Sequence, residues 1–261
     1  MKERRLKYSV VTINIGGYEL VHEILEKSEN AEYILLTDDH SLKSDTWTIK
    51  YIENEFIDDP FYTVFKIRYN IFDYVNTDIA FIVDGSIRIN KNLDIFIQKM
   101  EENNSDCCLF LHNYNKTLNM EYFAWEYFRN YPHEQTEKIK TLVGEDCFYN
   151  YKGLLMRTVM VQKNTNNIKK WNDLTFEYCK MLTFGNSLVD RLDQTIESYI
   201  IQKYFDGILN PLYFSIELIN DTKYFTWYNH GTNHITLSKR NKDIIDFKYY
   251  FFNKEVELCK L

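Results

Sequence analysis

Acidic and hydroxyl side chains directly follow an apolar run of this 261-residue chain. Residues 80–83 are apolar, and Asp84, Gly85 and Ser86 come next. A buried strand needs only apolar residues, and a glycine lets a ligand approach the backbone, so this order indicates a site at a strand end. Open α/β sheets bind their ligands at that end of the strands. A plain Asp-Gly turn is the alternative interpretation.

Three further groups of side chains could bind a phosphate-bearing ligand. Asp38 and Asp39 follow a second apolar run, and His230 and His234 lie in a late segment that a glycine interrupts. A carboxylate, a hydroxyl and an imidazole together suit Mg²⁺ or Mn²⁺ that holds a diphosphate. Two exposed loop histidines are the alternative interpretation. The basic pair that begins at Lys239 could contact phosphate or be a solvated charge cluster.

The composition predicts one compact domain. Hydrophobic residues make up 45% of the chain, which has only 8 glycines, 3 prolines and no linker-like run. The five cysteines are odd in number and form no CxxC pair, which disfavours a disulfide framework and a structural zinc site. A net charge of −7 argues against nonspecific nucleic-acid binding, because phosphate neutralisation needs clustered lysine and arginine.

The sequence carries no sign of a membrane span. No apolar stretch approaches the roughly 20 residues that a membrane-spanning helix needs. The charged start leads straight into a short strand rather than into a signal sequence. We therefore predict a cytoplasmic protein.

Strands and helices alternate in the predicted order of elements. Apolar, β-branched runs predict strands at residues 8–15, 31–37, 79–83, 107–111 and 153–161, and an extended segment at 47–56. Apolar residues at helical spacing predict helices over 61–75, 93–100, 168–182 and 192–204, and one more around Leu20, Ile24 and Leu25. The predicted fold class is α/β, with a Rossmann-like, mixed but mostly parallel central sheet flanked by helices.

A series of motifs runs along the chain in a recognisable order. The motifs are Thr12-x-Asn14-x-Gly16-Gly17-Tyr18, Thr37-Asp38-Asp39, Trp47, Lys66-Ile67-Arg68, Val83-Asp84-Gly85-Ser86-Ile87 and Arg191-x-Asp193-Gln194. Their order, rather than any single motif, resembles the nucleotide-sugar glycosyltransferases of the GT-A fold. The chain is most similar to the bacterial capsule and surface-polysaccharide transferases, and to a related group catalogued as a domain of unknown function in plants and bacteria. The resemblance covers roughly residues 8–235.

The resemblance implies a site for a nucleotide sugar. It assigns the donor contacts to Thr12, Asn14 and Gly16 in the nucleotide loop, to Asp38 or Asp39 at the base or ribose, and to Lys66 and Arg68. It also implies a GT-A-like single domain over residues 1–261. Within it, residues 8–110 would bind the nucleotide sugar, residues 111–235 would form the acceptor side, and residues 236–261 would be a C-terminal segment.

The resemblance also implies a metal, Mn²⁺ or Mg²⁺, at a strand-terminal Asp-x-Asp. Asp84 matches the first acid of that motif, whereas Ser86 replaces the second acid and is a neutral ligand. His230 resembles the late histidine that completes the coordination in several such enzymes, with His234 as the competing choice. Because Ser86 replaces an acid, the dependence on a metal is left open.

Glycosyl transfer needs a base for the acceptor hydroxyl and a group that stabilises the leaving diphosphate. Asp193 is the first candidate for the base, and an acid that only stabilises the first turn of a helix is the alternative. Glu126 is the second candidate. Its aromatic neighbours could stack on a sugar ring or be plain core.

The expected reaction moves a hexose from a UDP-linked donor to a hydroxyl of a saccharide or lipid-linked glycan in surface-polysaccharide synthesis. Such an acceptor implies peripheral contact with the inner membrane face, for which residues 243–261 are a candidate; packing of that segment onto its own domain is the alternative. Two other functions stay open. One is a non-catalytic carbohydrate-binding or assembly protein on the same fold, and the other is a nucleotidyltransferase.

Overall fold

The structure is a computed structural model of the chain. It describes residues 7–55, 60–111, 117–129, 133–150, 154–183, 193–215, 223–228 and 231. The predicted C-terminal segment and the residues around His234 lie outside these ranges.

Seven strands of the described residues form one sheet, and two short strands form a second. The strands are β1 (Tyr8–Asn14), β2 (Ala31–Thr37), β3 (Thr48–Tyr51), β4 (Ile79–Val83), β5 (Ile87–Ile89), β6 (Cys107–Leu111), β7 (Leu155–Lys163), β8 (Pro211–Ser215) and β9 (Phe225–Trp227). The large sheet has the order β3-β2-β1-β4-β7-β6-β8, and β5 pairs with β9. In the large sheet only β7 runs against its neighbours, β4 and β6. The predicted α/β class with a mixed, mostly parallel sheet is confirmed.

Helices flank this sheet. In the described ranges they are α1 (Pro60–Tyr69), α2 (Asp94–Glu102), α3 (Leu118–Arg129), α4 (His133–Val143), α5 (Glu145–Asn150), α6 (Asn166–Thr183) and α7 (Asp193–Tyr204). Helix α1 is shorter than predicted, and a 3₁₀ turn at Ile71–Asp73 follows it. The sequence patterns did not predict α3, α4 or α5. No helix in these ranges is long and apolar enough to cross a membrane.

Both faces of the large sheet are buried. Neighbouring residues of β1 point to opposite faces, so that Val10 and Val11 belong to two separate apolar clusters. On one face, Phe65 of α1 and Trp171 of α6 pack against the sheet. On the other face, Phe96 of α2 is part of the core. Burial on both sides explains why the strands are continuous apolar runs, as is usual in mostly parallel sheets.

The connection between β1 and β2 is a loop. The helix predicted around Leu20, Ile24 and Leu25 is therefore wrong. The Ile24 N–H donates to the Thr46 hydroxyl at 3.0 Å, and the Leu25 N–H donates to the Ile89 carbonyl at 2.9 Å. A helix would need these N–H groups for its own bonds. Leu20 and Leu25 are exposed, so their helical spacing does not mark a buried face.

The loop after β1 begins with a tight glycine turn. Gly16 and Gly17 have φ values of 70° and 64°, in the left-handed region that favours glycine. The Asn14 side chain closes the turn, because its amide donates to the Glu19 carbonyl at 3.0 Å and its oxygen accepts from the Glu19 N–H at 3.1 Å. The end of β1 therefore presents backbone to the space beyond the sheet.

Candidate functional site

A pocket of about 220 Å³ opens at the carboxyl ends of β1 and β4. Its lining includes Gly16 after β1, Asp84 after β4, and residues from α1 and the first turn of α7. The start of β7 also reaches it, because β7 is antiparallel to β4: the Asp84 N–H donates to the Thr158 carbonyl at 2.8 Å. The site therefore lies where open α/β sheets bind ligands.

Arg68 joins two of the predicted acids at the floor of this pocket. Its Nη2 donates to Asp84 Oδ1 in a short ion pair, and its Nη1 lies 3.7 Å from Asp193 Oδ2. The Arg68 side chain is 8% exposed, so solvent screens these contacts little. The structure thus brings together Asp84, Arg68 and Asp193, which the sequence motifs place in three separate segments.

A second buried arginine, Arg157 of β7, lies next to this group. Its Nη1 is 4.0 Å from Asp193 Oδ2, and its Nε is 2.9 Å from Glu197 Oε2. The Nε hydrogen is not aligned with that oxygen, so the contact with Glu197 is an ion pair rather than a hydrogen bond. Arg157 also donates a short hydrogen bond to the Tyr69 hydroxyl. A chain of alternating charges therefore runs from Asp84 to Glu197.

Arg157 and Glu197 were not among the site residues predicted from the sequence. Two signals could have found them. Arg157 is a charged residue within an apolar strand, which a purely structural strand would not need. Glu197 follows Asp193 by four residues on a helix, a spacing that puts both acids on one face.

Glu197 has a carboxyl group whose pKa lies well above its ordinary value. Burial raises the pKa of Glu197 to about 7, although the charge of Arg157 opposes that shift. Asp193 adds to the increase, because a second carboxylate disfavours the ionised form. Glu197 therefore changes its charge near neutral pH.

This raised pKa predicts how stability depends on pH. The folded-state pKa of Glu197, about 7, lies above its ordinary value of 4.5, so between these values the folded protein binds a proton that the unfolded chain does not. The stabilisation from this proton is complete below about pH 4.5 and is lost as the pH rises through 7. Urea unfolding at a series of pH values measures this dependence. In Glu197→Gln the free energy of unfolding should lack the part of its pH dependence that comes from this proton. Glu177→Gln, an exposed control on α6, should keep it, and equal slopes in wild type and Glu197→Gln would contradict the prediction.

The predicted nucleotide loop surrounds the pocket only in part. Gly16 lines it, whereas Thr12 and Asn14 are buried and do not line it. Asp38 accepts from the Gly16 N–H at 2.9 Å and so holds the loop from outside the pocket. Asp39 accepts from the backbone and the hydroxyl of its own loop and does not line the pocket.

Other predicted residues lie elsewhere. Lys66 forms an ion pair with Glu55, and Glu126 contacts His133 Nδ1 at 3.0 Å; neither Lys66 nor Glu126 lines the pocket. Ser86 is buried, and its hydroxyl has no hydrogen-bond partner among the described residues. His230, His234, Arg191 and Lys239 lie outside the described residues.

The described residues do not form a metal site. Asp84 is paired with Arg68, and Ser86 does not line the pocket. In the described ranges, no three His, Cys, Asp or Glu side chains converge as metal ligands. Tyr228, two residues before His230 in the sequence, contacts the predicted metal ligand Ser86, because the Tyr228 N–H donates to the Ser86 carbonyl at 2.8 Å. Binding of Mn²⁺ or Mg²⁺ stays a prediction.

The pocket combines a charged floor with an aromatic wall. Tyr18 and Phe61 pack edge to face with ring centres 5.1 Å apart, and both line the pocket. On the floor, the guanidinium groups of Arg68 and Arg157 lie beside the carboxyl groups of Asp84 and Asp193. Such a site can donate and accept hydrogen bonds and can pack against a ring.

Comparisons with known proteins do not add a family. A scan against protein-family models finds no match to the chain, and a search of curated proteins finds no similar sequence.

Proposed function

We propose that this protein is a glycosyltransferase with a GT-A-like domain. It would move a hexose from a nucleotide-diphosphate sugar, with UDP as the nucleotide, to a hydroxyl of a saccharide or lipid-linked oligosaccharide in surface-polysaccharide synthesis. The reaction would take place in the cytoplasm, and the protein would contact the inner membrane face peripherally. One observation carries the proposal: Asp84, Arg68 and Asp193 line one pocket at the carboxyl ends of parallel strands.

The chemistry of the pocket supports a sugar as ligand. Sugar hydroxyls both donate and accept hydrogen bonds, so they can contact the carboxylates of Asp84 and Asp193 and the guanidinium of Arg68 at the same time. The aromatic wall of Tyr18 and Phe61 offers an apolar surface for a sugar or a base. A floor whose charges nearly balance suits a neutral hexose better than a strongly charged one.

The reaction assigns one step to each of two side chains. The acceptor oxygen attacks the anomeric carbon while the Asp193 carboxylate takes the proton of that hydroxyl. The bond from the anomeric carbon to the diphosphate oxygen breaks, and its electron pair leaves with the diphosphate. Arg68 and Arg157 are the cationic side chains among the described residues that line the pocket, and Arg68 is the less buried of the two. Arg68 would therefore stabilise the leaving group.

A thermal-shift panel of nucleotides tests this proposal. UDP is expected to raise the unfolding temperature more than UTP does, because the site is proposed to fit a diphosphate. At a ligand concentration of about 100 times Kd the rise should be roughly 5 °C. Each nucleotide is measured with and without Mn²⁺. A preference for triphosphates would favour a nucleotidyltransferase, and no response to any nucleotide would contradict both enzymes.

Replacing Asp84 should separate catalysis from folding. Asp84→Asn removes the carboxylate that pairs with Arg68, while Arg68 keeps Asp193 at 3.7 Å as a second partner. We expect cooperative unfolding to persist and sugar transfer to fall by about two orders of magnitude or more, because Arg68, the proposed stabiliser of the leaving group, loses the carboxylate that orients it. Asp73→Asn, in the 3₁₀ turn outside the pocket, is the control. Transfer at the wild-type rate over a range of Mn²⁺ concentrations would show that Asp84 is not part of the site.

A non-catalytic carbohydrate-binding protein is the second candidate. The short ion pair between Arg68 and Asp84 favours it, because a carboxylate held by an arginine is less available for a metal or a diphosphate. In the same thermal-shift assay, such a protein would respond to an added free saccharide and would not respond to UDP.

A further inference from the structure

Arg157 and Glu197 take no part in the proposed reaction, although both are buried close to Asp193. Their exposures are 2% and 1%. Stability alone does not explain them, because a buried ion pair is often no more stable than packed apolar residues of the same size. The neighbours of Arg157 on β7 include Met156 and Val159, which are apolar and buried.

The geometry connects this pair to Asp193. Asp193 and Glu197 are one helical turn apart on α7, so their carboxylates lie on one face and repel each other when both are ionised. The Arg157 guanidinium lies between them, 2.9 Å from Glu197 and 4.0 Å from Asp193. Tyr69 of α1 accepts a hydrogen bond from the same guanidinium.

Both oxygens of Asp193 are held in place. Oδ1 accepts from the Gln194 N–H at 2.9 Å. Oδ2 lies between two cations, at 3.7 Å from Arg68 Nη1 and at 4.0 Å from Arg157 Nη1. The second of these cations is itself fixed by Glu197 and Tyr69.

We infer that Arg157 and Glu197 are positioning residues for Asp193. Glu197 and Tyr69 hold the Arg157 guanidinium at the pocket floor, and the guanidinium holds the Asp193 carboxylate toward the pocket. The catalytic consequence rests on the proposed function, in which Asp193 is the base. The coupling of Asp193, Arg157 and Glu197 does not rest on it.

Other ionisable groups also face Glu197. They are Arg68 and Tyr69 of α1, Cys107 of β6 and Cys179 of α6. Burial raises the pKa of Tyr69 and of both thiols, so these three groups stay neutral. The titration of Glu197 therefore reports mainly on Arg157, Asp193 and Arg68.

The test is a carboxyl-carbon NMR titration of Glu197 in ¹³C-labelled protein, with Glu197→Gln identifying its signal. The wild-type midpoint should lie near pH 7. Asp193→Asn should lower the midpoint by about one unit, because a neighbouring negative charge is removed, and Arg157→Met should raise it by about one unit or more. Arg157→Lys keeps the charge and should stay nearer to wild type, which also covers the case that Arg157→Met does not fold. Asp173→Asn, exposed on α6, should have no effect.

Opposite shifts in the Asp193 and Arg157 variants would support the inference, since general loosening of the core would move both midpoints in one direction. An unchanged midpoint in Asp193→Asn would overturn the inference, because Asp193 and Glu197 would then not be coupled through Arg157. Once a transfer assay exists, Arg157→Lys should lower kcat with little change in the donor KM. If the Glu197 midpoints shift as expected but the protein transfers no sugar, only the proposed function is contradicted. If the protein transfers sugar but the Glu197 midpoints do not shift, only the positioning role is contradicted.

Discussion

Asp193→Asn is expected to reduce sugar transfer by two or more orders of magnitude while donor binding is retained. An amide has the shape of the carboxylate but cannot take a proton, and loss of a general base costs about 10²- to 10⁴-fold. The variant should fold, because Arg68 still pairs with Asp84 and Arg157 still pairs with Glu197. The measurements are transfer rate and nucleotide-diphosphate affinity by calorimetry.

Two comparisons make this result specific. Asp173→Asn removes an exposed carboxylate from α6 and should transfer sugar at the wild-type rate. Asp193→Glu keeps a base but displaces it, so it should recover part of the activity that the asparagine variant loses. If Asp193→Asn remains active, Asp193 is only an acid that stabilises the first turn of α7.

The strands of the fold could be predicted because their signal is local. A run of buried β-branched and aromatic residues predicts β1, β2 and β4 whatever surrounds it. The loop after Gly17 could not be predicted in this way. Leu20, Ile24 and Leu25 have helical spacing, but the backbone there bonds to Thr46 and Ile89, which are distant in sequence. No local pattern reports such bonds.

The candidate site was predictable only where it depends on strand and helix ends. Asp84 ends a parallel strand and Asp193 begins a helix, and both line the pocket. Arg157 reaches the pocket because β7 is antiparallel, and strand direction cannot be read from an apolar run. Lys66 and Arg68 are two residues apart on α1, so they face different directions, and only Arg68 lines the pocket.

The buried charges also predict an asymmetry in stability. Glu197→Leu leaves Arg157 buried without its nearest ion-pair partner, and an arginine cannot lose its proton in a protein. Removing one partner of a buried pair in this way should lower the free energy of unfolding by about 3–5 kcal/mol. Arg157→Met leaves Glu197 buried, but the glutamate can bind a proton and become neutral. The cost of Arg157→Met should therefore be clearly smaller.

Urea unfolding at about pH 8, where wild-type Glu197 is ionised, measures this difference. The double variant Arg157→Met with Glu197→Leu removes both charges and replaces them with apolar side chains, so it should be more stable than Glu197→Leu alone. This recovery is the decisive sign, because two independent losses of packing would add rather than cancel. Additive losses, or an equal cost for both single variants, would show that Arg157 and Glu197 contribute through shape and not through their paired charges.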